Sequence, residues 1–414
     1  MWRFYAVATI VTAILPCDAA YSRTWYVTPD GTGDVSTIQA AVDAARPGDD
    51  ILLAPGTYSW TNQSASGNSM ILMKSGILLH SEAGAASTIL DAGWCGRVIL
   101  CDGVDNSAEI RGITVKRGGI HGSGGGILCK GGSTLVIADN IITDCGTSEF
   151  YCAGGGGIAC VEGASPRIEN NVITSCTSYC GGGIYCGGGS NPLIIGNEIS
   201  DICTQPPELD WATYGGGIYL DDASATIKEN WIHGNTASYG AGVGATNSEV
   251  ELEGNLIEGN FCYMDGAAIW CQGNVLYAFH NTVVGNEVWQ YSWDSGGAVC
   301  CYSSSTAYIW CNLITGTVSG RALSCANAGD IDLRSNNLWE NAGGDANCEI
   351  LGDDNLHEDP LFCAPEVSDY TLRGDSPCLV GSFPCMGRIG AYGEGCSGTP
   401  VMETSWGRIK AIYR

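Results

Sequence analysis

Between residues 124 and 341 the hydrophobic positions fall in short bursts, not in helical stripes. The bursts read "GGGILC" to Cys129, "GGGIAC" to Cys160, "GGGIYC" to Cys186 and "GGGIYL" to Leu220. Looser copies follow: "GAGVGA" to Ala245, "DGAAIWC" to Cys271 and "SGGAVCC" to Cys301. In "GGIYC", Ile184 and Cys186 alternate with Tyr185, the period of two that marks a strand. After each burst comes an apolar-x-x-Asn-x-apolar phrase such as "PLIIGNEIS", where either Leu193 and Ile195 or Ile194 faces inward and Ile199 belongs to a third short strand. The asparagines are Asn140, Asn171, Asn197, Asn230, Asn255, Asn281, Asn312 and Asn336. Their spacings are 31, 26, 33, 25, 26, 31 and 24 residues.

A repeat of this length, too short to close its own core, predicts a solenoid in which neighbouring repeats supply the burial. Three strands of four or five residues plus turns fill the shortest repeats, and stacked coils of that kind form a parallel β-helix. Equivalent residues then lie about 4.8 Å apart. The corner asparagines are expected to form a column, hydrogen-bonded above and below, and to tolerate a left-handed backbone. The glycine clusters mark another corner, where no Cβ fits. A second column is expected five residues on, at Cys145, Cys176, Asn235, Asn260, Asn286 and Asn341, and an inward thiol column at Cys129, Cys160, Cys186, Cys271 and Cys301. Such thiols read first as small core residues, although coil spacing also permits disulfides. Loop disulfides are expected at Cys152–Cys180, Cys95–Cys101 and Cys378–Cys385. The longer repeats all carry their extra residues between the third strand and the next glycine cluster.

An open solenoid exposes edge strands and needs caps. In "STIQAAVDAARPGDDILLAPGTY", Ser36 or Thr37 can cap a short helix whose Ile38, Ala41, Val42 and Ala45 form an apolar stripe. Pro47 and Gly48 end it, and a strand follows at 51–54. The "TIQAAVDAARPGDDILLAPGTY" start, the "GGGIYC…N-x-I" coils and the "DPLF…DYTLRGDSPC…IGAYG" exit resemble secreted bacterial right-handed parallel β-helix repeat proteins of the pectin-lyase-like fold, over about residues 24–396. The resemblance implies an all-β, right-handed parallel β-helix solenoid with an N-terminal helical cap. The expected organisation is a leader at 1–20 and a β-helix domain at 21–395, with its cap at 36–48, regular coils at about 104–341 and closing coils at 342–395. A basic tail at 396–414 carries Arg408, Lys410 and Arg414 and has the look of a sorting tag.

Composition narrows the setting. Glycine numbers 60 without a triplet period, so the turns are many and collagen is excluded. Arg3, the apolar stretch to Leu15 and the small Ala19 and Ala20 read as a secretory signal, so the protein is expected outside the cell or on its surface. No later apolar run is long enough for a membrane span. The net charge of −26 makes nucleic acid a poor partner. Of 22 cysteines, Cys17 leaves with the leader; an odd number remains, so at least one thiol is free or pairs outside the chain.

Chemistry is sparser. The resemblance directs attention to an Arg or Lys base on the outer face of the first strand. Between 151 and 320, however, only Arg167 and Lys228 occur, both near the strand before the asparagine corner, which weighs against a lyase. Of the polygalacturonase signatures, "DD" at Asp221 and Asp222 and "RIK" at 408–410 occur, while "NTD" and "GHG" do not. The weak catalytic candidates are Asp221, Asp222, Asp265 and Asp294, as carboxylates for acid–base work. The "PDGTGD" segment with Asp30 and Asp34 has a calcium-loop flavour but lacks further ligands, so calcium has no support, no metal site is expected and no other cofactor is implied. The aromatics of the insertion loops, and of the outward strand positions beside them (Tyr185, Tyr219 and Trp270), are more prominent. Tyr185, Trp211, Tyr214, Tyr219, Tyr239, Trp270, Trp289 and Trp293 gather along one edge, suited to stacking on sugars or, more plainly, to packing on one another. The expected function is non-catalytic binding of an extracellular polysaccharide or a cell-surface partner. A carbohydrate-active enzyme, a hydrolase before a lyase, and a structural surface stalk or adhesin are the alternatives.

Overall fold

The computed structural model describes residues 22–63, 67–148, 154–204, 212–289, 296–347, 349, 352, 354–379, 385 and 387–396. The expected leader and nearly all of the basic tail lie outside them, as do Cys152, Trp211, Trp293 and Asp294.

The bursts and the Asn phrases become three long parallel sheets of 10, 12 and 11 strands. The glycine sheet takes one strand per coil from the "GGIYC" phrase, such as Ile184–Gly187. The second sheet takes the strand before each corner asparagine, such as Leu193–Ile195, and the third takes the strand after it, such as Glu198–Ser200. Register is strict: Ile158, Ile184, Ile218, Val243 and Ile269 pair in sequence along the glycine sheet. Parallel pairing already begins with Thr24–Val27 on Asp50–Leu53, and runs to Leu313–Thr315 on Asn337–Trp339. In the second sheet Ile194 is the inward residue, fully buried, while Leu193 and Ile195 face outward.

Inside the coil, Ile, Leu and Val columns form one continuous core. Cys101, Cys129, Cys160 and Cys186 follow one another in register, and the column continues through Leu220 and Ala245 to Cys271, Cys301 and Cys325. All but Cys325 of these cysteines are reduced thiols with essentially no exposure. Hydrogen bonding to the neighbouring thiols, and then burial, push the Cys101 and Cys160 thiols well up.

The corner asparagines form the expected column. Each Asn Nδ2 donates to the Oδ1 of the next: Asn140 to Asn171, Asn171 to Asn197 and Asn197 to Asn230, all at 3.0 Å. The same oxygen accepts the backbone N–H of the previous asparagine, as in Asn197 N to Asn230 Oδ1 at 2.9 Å. The left-handed backbone, however, belongs to the residue before the asparagine: Asp139, Asn170, Glu229, His280 and Ser335 have φ of 53–54°. The bend sits there, leaving the asparagine to aim inward. The second column holds at Asn235, Asn260 and Asn286, again linked at 3.0 Å. Ile202 takes one rung, its N–H donating to Asn235 Oδ1 at 3.1 Å.

The glycine cluster has a steric cause. A Cβ on Gly183 would lie 2.5 Å from the carbonyl oxygen of Gly217 in the next coil, and Gly181 turns with φ of 57°. Adjacent coils therefore touch backbone to backbone at this corner.

Both ends are capped. The helix Ile38–Ala44 starts at Thr37, whose side chain accepts from Ala40 N at 3.1 Å, and buries Ile38, Ala41 and Val42. At the other end an antiparallel pair, Phe362–Ala364 with Asp369–Leu372, closes the stack. Cys311–Cys385 and Cys363–Cys396 staple this region. Two expected disulfides are corrected. Cys385 reaches Cys311 at a coil corner, so Cys378 is left as a buried thiol, accepting from Asn337 Nδ2 at 3.1 Å. Cys101 points into the core while Cys95 is exposed on a turn, and both are free. Cys180 is disulfide-bonded, whereas Cys152 lies outside the described residues.

Candidate functional site

The outer face of the glycine sheet carries two columns. One runs Tyr185, Tyr219, Gly244, Trp270, Cys300 and Ser324; the other runs Asp221, Thr246, Gln272 and Tyr302. The insertions fold back over these columns. Segments Thr236–Tyr239, Phe261–Asp265 and Glu287–Val288 pair as a small parallel sheet, and Ala237, Ala241, Cys262, Ala267 and Val288 pack beneath it. Tyr185, Tyr219 and Trp270 point away from the coil but are 8, 4 and 4% exposed. They serve as a floor on which the insertions rest.

Tyr214, from the insertion before the Gly215–Gly217 cluster, sits over Tyr219. Its ring stacks on Tyr219 at 5.6 Å and on Tyr239 at 5.4 Å, with interplanar angles of 27 and 14°. Trp270 meets Tyr214 and Tyr239 at 5.5 and 5.3 Å, tilted by 42 and 43°. The tyrosine faces are thus largely used on one another, and their edges and hydroxyls remain for anything outside.

Next to this stack lies a cleft of ≈ 270 Å³ lined by Tyr214, Tyr239, Met264, Asp265, Trp270, Gln272 and Tyr302. Met264 and Tyr302 are exposed. Asp265 Oδ1 accepts the backbone N–H groups of Gly266 at 2.9 Å and Gly297 at 3.2 Å. Burial raises the Asp265 carboxyl to about 6, against the opposing effect of hydrogen bonds from Cys300 and these two peptides. The Cys300 thiol is itself pushed well up, by burial and then by the Asp265 charge. Among the described residues, the cleft wall contains no lysine or arginine.

Of the other candidate carboxylates, Asp221 is partly buried at the end of Ile218–Asp221, its carboxyl raised by burial and by the neighbouring Asp222. Asp222 is exposed on a turn with φ of 48°. Asp221 and Gln272 share one outward column, two coils apart, so Asp221 is not in the cleft lining. Trp289 is exposed and meets Tyr263 edge-on at 5.7 Å, away from the cleft wall. Asp30 holds its own turn, accepting from Thr28 and Thr32 hydroxyls at 2.7 Å. No group of three or more His, Cys, Asp or Glu among the described residues is placed to hold a metal ion, and no described helix is long and apolar enough to cross a membrane.

Residues 97–288 match the family model for a "Right handed beta helix region". The coil is right-handed. No curated protein sequence matches the chain. Among solved structures, the pectate lyase Pel9A is similar at 13% identity over 90% of this chain and 97% of that one, with a TM-score of 0.49. The A-module of the Azotobacter vinelandii mannuronan C-5 epimerase AlgE4 is similar at 15% identity over 80% and 100%, with a TM-score of 0.34. An alginate lyase from Paenibacillus sp. gives 15% over 74% and 96%, with a TM-score of 0.35. These likenesses lie in the winding of the chain and transfer no chemistry.

On this β-helix Arg167 and Lys228 stand on the outer face of the second sheet. Arg167 pairs with Glu169, and Lys228 pairs with Glu251 and Glu253 at 3.1 and 2.7 Å. They are on a different wall from the cleft. Three cleft residues escape the sequence reading: Met264, Gln272 and Tyr302. The last two sit one place after the inward Cys271 and Cys301, an outward position that register alone identifies. A further stack, Tyr277 on Tyr308 at 5.3 Å and 8°, lies on the second sheet, where no glycine signal draws attention to it.

Proposed function

We propose that this protein is an exported β-helix that binds glycan at the cleft between the coil wall and its insertions, without catalysing a reaction there. The cleft itself carries this reading. Its exposed Tyr302 ring offers a face for a sugar, and Gln272, Asp265 and the tyrosine hydroxyls offer hydrogen-bond partners for sugar hydroxyls. Recognition therefore rests more on polar groups and one free ring than on a flat aromatic platform. Disulfides at the closing coils fit an oxidising compartment.

A glycan array followed by titration calorimetry tests the proposal. Tyr302→Ala and Gln272→Ala are expected to weaken binding about tenfold each, the scale of one lost stacking or charge-free polar contact. Tyr277→Ala, on the other wall, should leave binding unchanged. A folded protein that retains no glycan, or variants with wild-type affinity, overturns the proposal.

A hydrolase reading draws on one observation, the Asp265 carboxyl raised to about 6, which suits a general acid. It requires release of new reducing ends from a polysaccharide, abolished by Asp265→Asn.

A further inference from the structure

The cleft is unusual in its charge. It has one carboxylate, four aromatic residues and, among the described residues, no cation in its wall. Asp265 Oδ1 is held by two peptide N–H groups and the Cys300 thiol is a further partner. These are dipoles, and none supplies the full positive charge that a carboxylate withdrawn from water ordinarily acquires. Trp270 is tilted by 42–43° to the tyrosine stack, so the rings do not close flat over one another. Beside them Tyr302 is 38% exposed. The free Tyr302 face, with the hydroxyl edges of Tyr214 and Tyr239, beside a carboxylate makes a site for an organic cation. The net charge of −26 acts in the same direction, drawing cations towards the surface and repelling uronate chains.

We propose that the cleft selects a cationic amino sugar, a glycan whose amine is unacetylated, and seats its ammonium group against Asp265 beside Tyr302 and Trp270. This rests on the glycan-binding reading and sharpens it to a substrate class. The cleft volume of ≈ 270 Å³ suits about one pyranose ring, so a single glucosaminyl residue of a longer chain would be read here. The raised carboxyl adds a pH signature. The cation needs the ionised form, which predominates above pH 6 and declines below it.

The test compares three tetrasaccharides by titration calorimetry: glucosamine, its N-trimethylated form and N-acetylglucosamine. The trimethylated form keeps its charge at every pH, so its pH dependence reports the protein. Its affinity for wild type is expected to exceed that of the acetylated chain at least tenfold at pH 7, and to fall about tenfold between pH 7 and pH 5 as Asp265 protonates. Asp265→Asn should remove both the preference and the pH dependence, with circular dichroism confirming the fold. Tyr302→Leu, at an exposed position, provides a second variant and should weaken the cation about threefold or more. Equal binding of charged and acetylated chains overturns the inference while leaving the glycan-binding reading intact. Failure of folded wild type to bind any of the three, together with an empty glycan array, overturns both.

Discussion

Replacing Asn230 by alanine isolates the contribution of the asparagine column. The side chain is 1% exposed and makes four hydrogen bonds. It donates to Ile194 O at 2.9 Å and Asn255 Oδ1 at 3.0 Å, and it accepts from Asn197 N at 2.9 Å and Asn197 Nδ2 at 3.0 Å. Alanine does not affect all partners equally. Asn255 Oδ1 keeps the backbone N–H of residue 230 at 3.0 Å, and Asn197 Nδ2 keeps Ile168 O at 2.9 Å. The Asn197 peptide N–H loses its acceptor inside a closed wall. One orphaned buried donor costs about 1–3 kcal/mol and each of the three other lost bonds about 1 kcal/mol, so the variant should lose about 4–6 kcal/mol. Because each coil contacts only its neighbours, the loss falls on one inter-coil contact, and partial unfolding around residues 194–230 is expected first. Urea denaturation followed by circular dichroism measures the change, with hydrogen exchange locating it. The exposed Asn191→Ala serves as control and should stay within about 0.5 kcal/mol. A loss below about 1 kcal/mol at Asn230 would refute the idea that the column holds the coils in register.

Four further outcomes follow from named contacts. Asp265 titrates near 6 in the folded chain and near 4 when unfolded, so the native state takes up the extra proton: its stabilising contribution is full below about pH 4 and lost as pH rises through 6. Asp265→Asn should therefore gain stability relative to wild type on going from pH 4 to pH 7.5, by up to about 3 kcal/mol, read from urea midpoints at each pH. Gly183→Ala, whose Cβ would meet Gly217 O at 2.5 Å, should cost at least about 2 kcal/mol in a thermal melt as the coils are forced apart. Removing the Cys311–Cys385 bond by a double serine substitution should cost about 2–4 kcal/mol in the same melt, while in the native protein a thiol reagent should modify the exposed Cys95 and Cys203 and spare the column from Cys101 to Cys186.

The coils were legible because their constraints repeat. Gly183, Ile184, Cys186, Ile194 and Asn197 each answer to a neighbour of the same kind one coil away, so local pattern and tertiary contact coincide. The cap at Thr37 was legible for a similar reason, since its signals are local. The cleft was not. Its walls combine Asp265 from an insertion, Gln272 and Tyr302 from successive coils, and Tyr214 from another insertion; no periodicity links them. Tyr185, Tyr219 and Trp270 were correctly outward, yet outward did not mean exposed, because the insertions return over the sheet through Gly240 and Gly266. The end disulfides failed for the same reason: Cys385 finds Cys311 through the path of the closing coils, which sequence spacing does not encode.

The position of a bound sugar is the most direct measurement. A crystal structure of the protein with a glucosamine oligosaccharide should show one residue beside Tyr302 with its amine within hydrogen-bonding distance of Asp265. Density for the sugar on another wall, with the cleft filled only by water, would contradict it.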